Sequence, residues 1–207
     1  FKISNLEYFE TIFVAKKFGN PKIDSALDFL VSAKLVALVN DGVLVPTVIG
    51  EALAFSAMSP EEAESTYSEL SRARNRLCLA GGDLHLLFLV CPPISVSDAE
   101  LHNYASSPAG MHNMQEGFLL LGTCAEKKLM VALILRDLIT ESNLGQVAKK
   151  YGVSSGTVQY LQSNAAIYCA MVSAFCEKLQ WTSLAAALNS VKPRLHFGVP
   201  AELVGLM

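Results

Sequence analysis

The chain has 207 residues and a formal net charge of −3, and only 17% of its residues are charged, against roughly 25% in an average soluble domain. This length is enough for one large or two small domains with a substantial core. No apolar run reaches the ~18 residues that a membrane span needs, which excludes a membrane protein, and the low charge predicts a surface that packs against a missing partner.

The five cysteines are scattered along the chain, and no CxxC pair occurs among them. Neither a disulfide framework nor a zinc site is therefore predicted, and a reducing, intracellular compartment is favoured. Because Phe1 begins within an element, without an initiating Met or a signal peptide, we expect a fragment of a longer protein.

The first part of the chain predicts the order helix, helix, β-hairpin, helix. Residues 5–18 are amphipathic, and a second apolar helix is expected over about 24–33. Two β-branched runs then flank the NDG turn at 40–42, and Thr47 can cap a helix over 48–58. This order is typical of a winged-helix domain.

The helix before the hairpin often enters the major groove of DNA in winged-helix proteins. Here the segment 25–34 carries a single basic residue, Lys34, whereas groove readers need Arg, Lys, Asn or Gln on the exposed face. A structural or partner-docking role is therefore favoured over base reading.

The SPEE sequence at 59–62 predicts the start of a helix that extends to about residue 79, with Ser, Pro and Glu arranged as in a capping box. Arg72 and Arg76 lie one turn apart on it, within reach of Glu69. Either a solvated face with intrahelical ion pairs or a row of arginines facing phosphate fits this pattern.

The middle of the chain is harder to interpret. Residues 83–90 form a buried apolar run, in which His85 is expected to be a hydrogen-bonded core residue. Residues 92–124 show no convincing period. His102 and His112 could form a metal-binding pair there, but no Cys or carboxylate completes a ligand set.

Residues 126–141 predict a central helix, and a helix-turn-helix follows it. Gly152 suits the left-handed residue that ends the first helix of this motif, and Ser154 or Ser155 can cap the second. Apolar residues at alternating spacings of three and four then predict one buried helical stripe. Its members are Val158, Leu161, Ala165, Tyr168, Val172, Phe175 and Leu179.

Two other lines of this long helix flank the apolar stripe. Tyr160, Asn164 and Ile167 lie on one of them, and Gln159 and Ser163 lie on the other. A helix with so little charge around its circumference is either enclosed by neighbours or lines a channel. Tyr160 could stack on a base near the positive end of the helix dipole, or it could be a core residue.

After Trp181, Thr182 or Ser183 is expected to cap a short helix that Pro193 breaks. Residues 200–206 are expected to begin another turn or helix.

No catalytic motif is found in the sequence. The GVSSGT segment at 152–157 superficially resembles a phosphate-binding loop, but no Lys follows its second glycine and no strand precedes it. Patterns such as GxGxxG, GxSxG and HExxH do not occur.

Two classes of non-catalytic protein remain as alternatives to the interpretation given below. One is a helix-turn-helix regulator, in which Thr157, Gln159, Tyr160 and Gln162 would read bases, although no basic residue follows on that helix until Lys178. The other is a stand-alone helical interaction scaffold.

Several separate motifs, in this order, resemble the C-terminal half of superfamily-2 DNA repair helicases. The resemblance is to the helicase-like module of the polymerase theta family and, second, to the sister polymerase-theta-like helicases. The motifs are TVIGEA (47–52), SPEEAESTYSELSRA (59–73), DLHLLFLVCP (83–92), LILRDLITES (133–142), KYGVSSGTVQYLQSNAAIYCAMVSAFCEKLQW (150–181) and RLHFGVPAEL (194–203).

The resemblance implies a mainly α fold, with a winged-helix domain over 1–57 and an all-α helical ratchet domain over 58–207. The ratchet helix, about 155–179, would track single-stranded DNA in a channel. In archaeal relatives an Arg and a Trp on this helix contact DNA, and the corresponding positions here are Tyr160 and Ile167, where neither residue type is kept.

The resemblance also implies that the winged helix docks on ATPase lobes that this chain lacks. The fragment itself would then hold no cofactor and no metal, whereas the parent enzyme would be a nuclear, ATP- and Mg-dependent helicase acting in DNA repair with possible repair-protein partners. The candidate DNA-binding residues are Gln159, Tyr160, Ser163, Asn164, Ile167, Arg72 and Arg76.

Overall fold

A computed structural model describes residues 20–39, 43–76, 82–93, 96–122, 125–140 and 143–206, and within these ranges all side chains except those of 20–24, 75 and 76. This part of the chain is mainly helical, as predicted, with one two-stranded sheet. The predicted helix over 5–18 and the turn at 40–42 lie outside the described residues. The elements are α1 (Asn20–Ser32), β1 (Val36–Val39), β2 (Val43–Pro46), α2 (Val48–Ser56), α3 (Pro60–Arg76), α4 (Asp83–Leu89), α5 (Asp98–Ala105), α6 (Pro108–Leu121), α7 (Glu126–Leu138), α8 (Leu144–Tyr151), α9 (Ser155–Lys178), α10 (Thr182–Phe197) and α11 (Ala201–Val204).

The predicted hairpin and the capped helix after it are both confirmed. β1 and β2 pair antiparallel, with Val39 opposite Val43 at the end nearest the turn. The Thr47 hydroxyl oxygen accepts a hydrogen bond from the Gly50 backbone N–H at 3.1 Å, so Thr47 caps α2. The same hydroxyl donates to the Lys34 carbonyl at 2.7 Å, which ties the start of α2 to the residues before β1.

The start of α3 is also confirmed. The Ser59 hydroxyl accepts from the Glu62 backbone N–H at 3.3 Å, and the Glu62 carboxylate accepts from the Ser59 backbone N–H at 3.2 Å. These two reciprocal bonds satisfy donors that the first turn of a helix leaves without partners.

The segment 92–124, for which the sequence predicts no regular structure, contains the helices α5 and α6. Ser97 and Glu100 form a capping box at the start of α5, and the Ser107 hydroxyl accepts from the Gly110 backbone N–H at 3.0 Å before α6. Both caps are visible in the sequence as short start signals. No apolar period follows these caps, since α6 exposes Met111 and Leu119, and the sequence therefore does not predict the two helices.

One continuous core joins all the larger elements. α7 lies at its centre, as predicted, with every residue from Leu129 to Leu135 buried. The core also includes Leu35 and Ala52 from the hairpin region, and α9 packs against α2, α7, α8 and α10. The long helix is therefore held on several sides by its neighbours.

The prediction that Pro193 ends its helix is wrong, because α10 continues through it to Phe197. Proline removes one helical hydrogen bond, the one that residue 193 would donate to the Asn189 carbonyl. Leu188, Val191 and Leu195 of α10 are all fully buried. Their packing against the core offsets the missing bond and keeps the helix continuous.

No helix among the described residues is both long enough and apolar enough to cross a membrane.

Candidate nucleic-acid interface

The candidate interface is built on the predicted helix-turn-helix, which the structure confirms. Gly152 has a φ of 66°, the left-handed conformation that ends α8 and that glycine adopts without strain. The Ser154 hydroxyl oxygen then accepts from the Thr157 backbone N–H at 2.9 Å and caps α9. The turn thus directs α9 away from α8 within three residues.

The GVSSGT segment is this turn and not a phosphate loop. Its Gly152 ends one helix, and the Ser154 side chain already serves the first turn of the next. The segment follows a helix, whereas the phosphate loop of nucleotide-binding proteins follows a strand. These residues do not fit a bound nucleotide, and no step proposed below uses one.

The apolar stripe of α9 faces the core, as predicted. Six of its seven predicted members are buried, and Leu179 is partly buried against the same core. The Tyr168 hydroxyl lies 2.9 Å from the Thr66 hydroxyl of α3 in a buried hydrogen bond. This contact fixes the rotation of α9 about its own axis.

The five candidate residues on α9 lie outside the apolar stripe. Gln159 and Ser163 are exposed, Tyr160 is 52% exposed and Ile167 is 62% exposed. Asn164 is half-buried, and its side-chain amide donates to the Tyr160 carbonyl at 2.7 Å. Because half of its surface is in water, Tyr160 is not a core residue.

α2 lies beside the C-terminal end of α9. Lys178, in the last turn of α9, forms an ion pair with Glu51 of α2 at 3.8 Å, and its ammonium group lies 6.0 Å from the centre of the Phe55 ring. The candidate residues all lie between Gln159 and Ile167, away from this contact at the C-terminal end of α9. We call Gln159, Tyr160, Ser163, Asn164 and Ile167 the α9 face.

A groove of about 770 Å³ runs along one edge of the α9 face, between α9 and α10. Ser163 and Ile167 line it from α9. Lys192, His196 and Phe197 line it from α10. Two of the predicted site residues, Ser163 and Ile167, are therefore part of a larger concave surface, which we call the α9–α10 groove.

The predicted site does not include the α10 residues, because Pro193 predicts a break in that helix. A signal was nonetheless present. Lys192 and His196 are four residues apart, and Asn189 and Pro193 have the same spacing, which places both pairs on one side of a continuous helix. All four line the groove.

Gln162 is not available to read bases. Its side-chain amide donates to the Leu195 carbonyl at 3.0 Å and to the His196 carbonyl at 3.3 Å, in the last turn of α10. These carbonyls have no helical partner of their own. One of the residues required by the helix-turn-helix regulator is thus used inside the fold.

The arginine candidates lie elsewhere. Arg72 is exposed on α3 and lines a small cavity with Glu69 and His85, and no α9 residue lines that cavity. Glu69 forms an ion pair with Lys128 of α7 across the fold. The structure therefore does not bring Arg72 together with the α9 face, and the side chain of Arg76 lies outside the described residues.

Two cysteines of α9 and one near α4 are buried thiols. Burial raises the pKa of Cys91, Cys169 and Cys176 to about 12 each. Nucleophilic cysteines have pKa values lowered below about 8.5, so these thiols are core residues and not reactive groups.

Comparison with known protein families finds that residues 122–195 match the family described as the helical domain of the DNA polymerase Q helicase-like region. The matched range begins just after α6 and contains α7, α8, α9 and most of α10. It thus includes the whole α9 face and part of the α9–α10 groove.

Curated relatives match the chain over most of its length. DNA polymerase theta of Caenorhabditis elegans is 34% identical over 89% of this chain, and that of Drosophila melanogaster is 30% identical over 89%. The human protein named helicase POLQ-like is 26% identical over 60% of the chain. The chain spans only 13%, 10% and 13% of the lengths of these three proteins. The resemblance inferred from the motifs is therefore confirmed, and the chain is a relative of the helicase-like module of DNA polymerase theta.

Proposed function

We propose that this chain is a non-catalytic DNA-channel element of an ATP-dependent superfamily-2 helicase that acts in DNA repair in the nucleus. In this proposal, α9 is the ratchet helix, and the α9 face contacts single-stranded DNA as it moves through the channel. ATP, Mg²⁺ and any repair-protein partners belong to the parent protein.

The observation that carries the proposal is the two-sided character of α9. One side is fixed in the core, and the N-terminal half of the other side exposes an aromatic ring together with small polar groups. Proteins that bind single strands without sequence preference use stacking rings and modest polar contacts, since every base has a π-face. The α9 face has this composition.

The charge of the chain supports contact with a strand but not tight binding by this element alone. The α9 face contains no charged residue, and the whole chain has a net charge of −3. Because few counterions are released on binding, the isolated chain is expected to bind single-stranded DNA weakly and with a shallow salt dependence.

Residues 1–57 are proposed to form a winged helix that docks on the ATPase lobes. The described part has the order α1, β1, β2, α2, which agrees with the helix, hairpin and capped helix that the sequence predicts for this domain. Several of its apolar side chains are exposed, including Leu38 at 66%, Val48 at 65% and Phe55 at 63%. Exposed apolar groups of this size on one region support a role in docking another protein surface.

The test of the proposed function is removal of the exposed ring of Tyr160. Fluorescence anisotropy of a labelled oligothymidylate would be measured against the 207-residue chain and its Tyr160→Ala variant. If the ring stacks on a base, the variant loses roughly 1–3 kcal/mol of single-strand affinity. Its melting temperature should change little, because the side chain is half in water.

Phe55→Ala is the matched control, since it removes another exposed ring, one that lies beside Lys178 at the C-terminal end of α9. It is expected to leave affinity unchanged. Equal affinity of Tyr160→Ala and the unaltered chain, at matched melting temperatures, would contradict contact between the α9 face and the strand.

A further inference from the structure

We propose that the α9–α10 groove is a second contact site for single-stranded DNA, in which α10 holds a backbone phosphate at Lys192 and a base at Phe197. This inference rests on the proposed function, because it extends the strand from the α9 face into the neighbouring groove. It adds a second helix, α10, to the binding surface.

The lining of the groove suits a polyanion. Lys192 and His196 line it, and no carboxylate does. Two other cavities differ, because Glu62, Asp98 and Glu126 line one of them together with Lys127 and Lys128, and Glu69 lines the other together with Arg72. Carboxylates offset the cations in those two cavities, so among the three only the α9–α10 groove combines a basic side chain with a lining free of carboxylates, which suits a nucleic-acid backbone.

Lys192 is available for such a contact. It is exposed, and no carboxylate in the described ranges forms an ion pair with it. Lys128, Lys150 and Lys178, by contrast, each pair with a carboxylate of a neighbouring helix. An ammonium group without a carboxylate partner can bind a phosphate without first giving up a protein partner.

The far end of the groove presents an aromatic ring. Phe197 is 45% exposed, and the His196 ring meets it edge to face with 4.8 Å between the ring centres. This contact holds the Phe197 ring in one orientation and leaves part of its surface to solvent. Such a ring is a platform for one base of any kind.

Small and rigid residues line the rest of the groove. These lining residues have no long flexible side chain. They are Ala166 and Ala170 of α9 and Pro193 of α10. The volume of about 770 Å³ falls within the roughly 300–1,000 Å³ of small-ligand sites, which is ample for one nucleotide. Ser163 and Ile167 belong both to the α9 face and to the lining of the groove, so one strand can contact the α9 face and the groove together.

Two substitutions in the 207-residue chain separate the phosphate contact from the base contact. Lys192→Gln is expected to weaken binding of a labelled oligothymidylate severalfold and to reduce the slope of log K against log salt by about 0.7, the value for one phosphate contact on a single strand. Phe197→Leu is expected to weaken binding roughly five- to tenfold at an unchanged slope, because only stacking is lost.

Lys34→Gln is the control for the charge change, since Lys34 is an exposed lysine far from α10 in the sequence. Phe55→Leu is the control for the ring. Both are expected to bind as the unaltered chain does, and the melting temperatures of all four variants are measured so that a loss of folded protein is not taken for a loss of affinity.

The proposal is overturned if either Lys192→Gln or Phe197→Leu binds normally. If Tyr160→Ala alone weakens binding, the groove proposal fails while the proposed function of the α9 face stands. If the unaltered chain shows no binding of the oligonucleotide, both fail. A chain that sediments as a dimer, and that Phe197→Leu makes monomeric with unchanged DNA affinity, would assign the groove to a second copy and would also overturn the proposal.

Discussion

The hydroxyl groups of Thr66 and Tyr168 lie 2.9 Å apart inside the core and join α3 to α9. Tyr168→Phe leaves the buried Thr66 hydroxyl without this partner, and the free energy of unfolding is expected to fall by about 1–2 kcal/mol. Urea denaturation measures the change. Tyr160→Phe removes an equivalent hydroxyl from an exposed ring and should leave stability within about 0.5 kcal/mol of the original. Equal stabilities of the two variants would show that the buried hydrogen bond makes no net contribution to the free energy of unfolding.

Gly50 marks the closest approach between α2 and the chain before β1. A Cβ atom at this position would lie 1.9 Å from the Leu35 carbonyl oxygen, which is backbone and cannot rotate away. We expect Gly50→Ala to destabilise the fold by at least ~3 kcal/mol, because α2 must move off the hairpin segment. Gly156→Ala is the control, since its nearest neighbour would lie at an ordinary 3.6 Å. That variant should be neutral or slightly stabilising, and a thermal melt of each reads out the difference.

Alkaline pH is expected to destabilise the protein through its buried thiols. Burial raises the pKa of Cys91, Cys169 and Cys176 from 9.0 to about 12, and it also raises the pKa of Tyr168. In the unfolded chain the thiols lose their protons near pH 9, while in the folded chain they keep them. Stability is therefore fully present below about pH 9 and falls between about 9 and 12, by up to ~1.4 kcal/mol per pH unit for each thiol.

Denaturation curves at a series of alkaline pH values test this slope. Cys169→Ala removes one of the three thiols and should make the alkaline loss of stability shallower, whatever it does to stability at neutral pH. An unchanged slope in that variant would show that Cys169 keeps the same pKa in the folded and unfolded chains.

Charge reversal at Lys34 is expected to have little effect on DNA binding. Lys34 follows the end of α1, and its carbonyl accepts the Thr47 hydroxyl, so it belongs to the connection into the hairpin and not to the face of a helix. Lys34→Glu should therefore leave single-strand and duplex affinity within about twofold, less than the ~1 kcal/mol of a lost base contact. A tenfold loss of duplex affinity would instead support a groove-reading role for the hairpin region.

Local signals predicted most of the fold. Capping residues such as Ser59 and Ser154 and the apolar stripe of α9 act within one or two helical turns, so their consequences can be read from neighbouring residues. The same kind of signal at Ser97 and Ser107 does not by itself predict a helix. α6 has apolar residues on its exposed side, so no clean apolar period follows the cap.

The α9–α10 groove could not be predicted in the same way. Its walls are about 30 residues apart in sequence, and they meet only because Leu188, Val191 and Leu195 turn α10 onto α9. The local rule for Pro193 favours a break, and the burial of these three side chains outweighs it. The site therefore depends on tertiary packing that overrides a local preference.

Side-chain hydrogen bonds join α9 to α10 near both ends of their contact. Gln162 bridges the two helices at one end, and at the other Ser173 donates to the Asn189 side-chain carbonyl at 2.9 Å while the Asn189 amide donates to Glu177 at 2.9 Å. With both ends joined, the helices cannot slide or separate without breaking these bonds. In the proposed channel, a pull on a strand held by either helix would therefore be carried by both, and the two helices would move as one stiff unit whose displacement the connections around it must absorb.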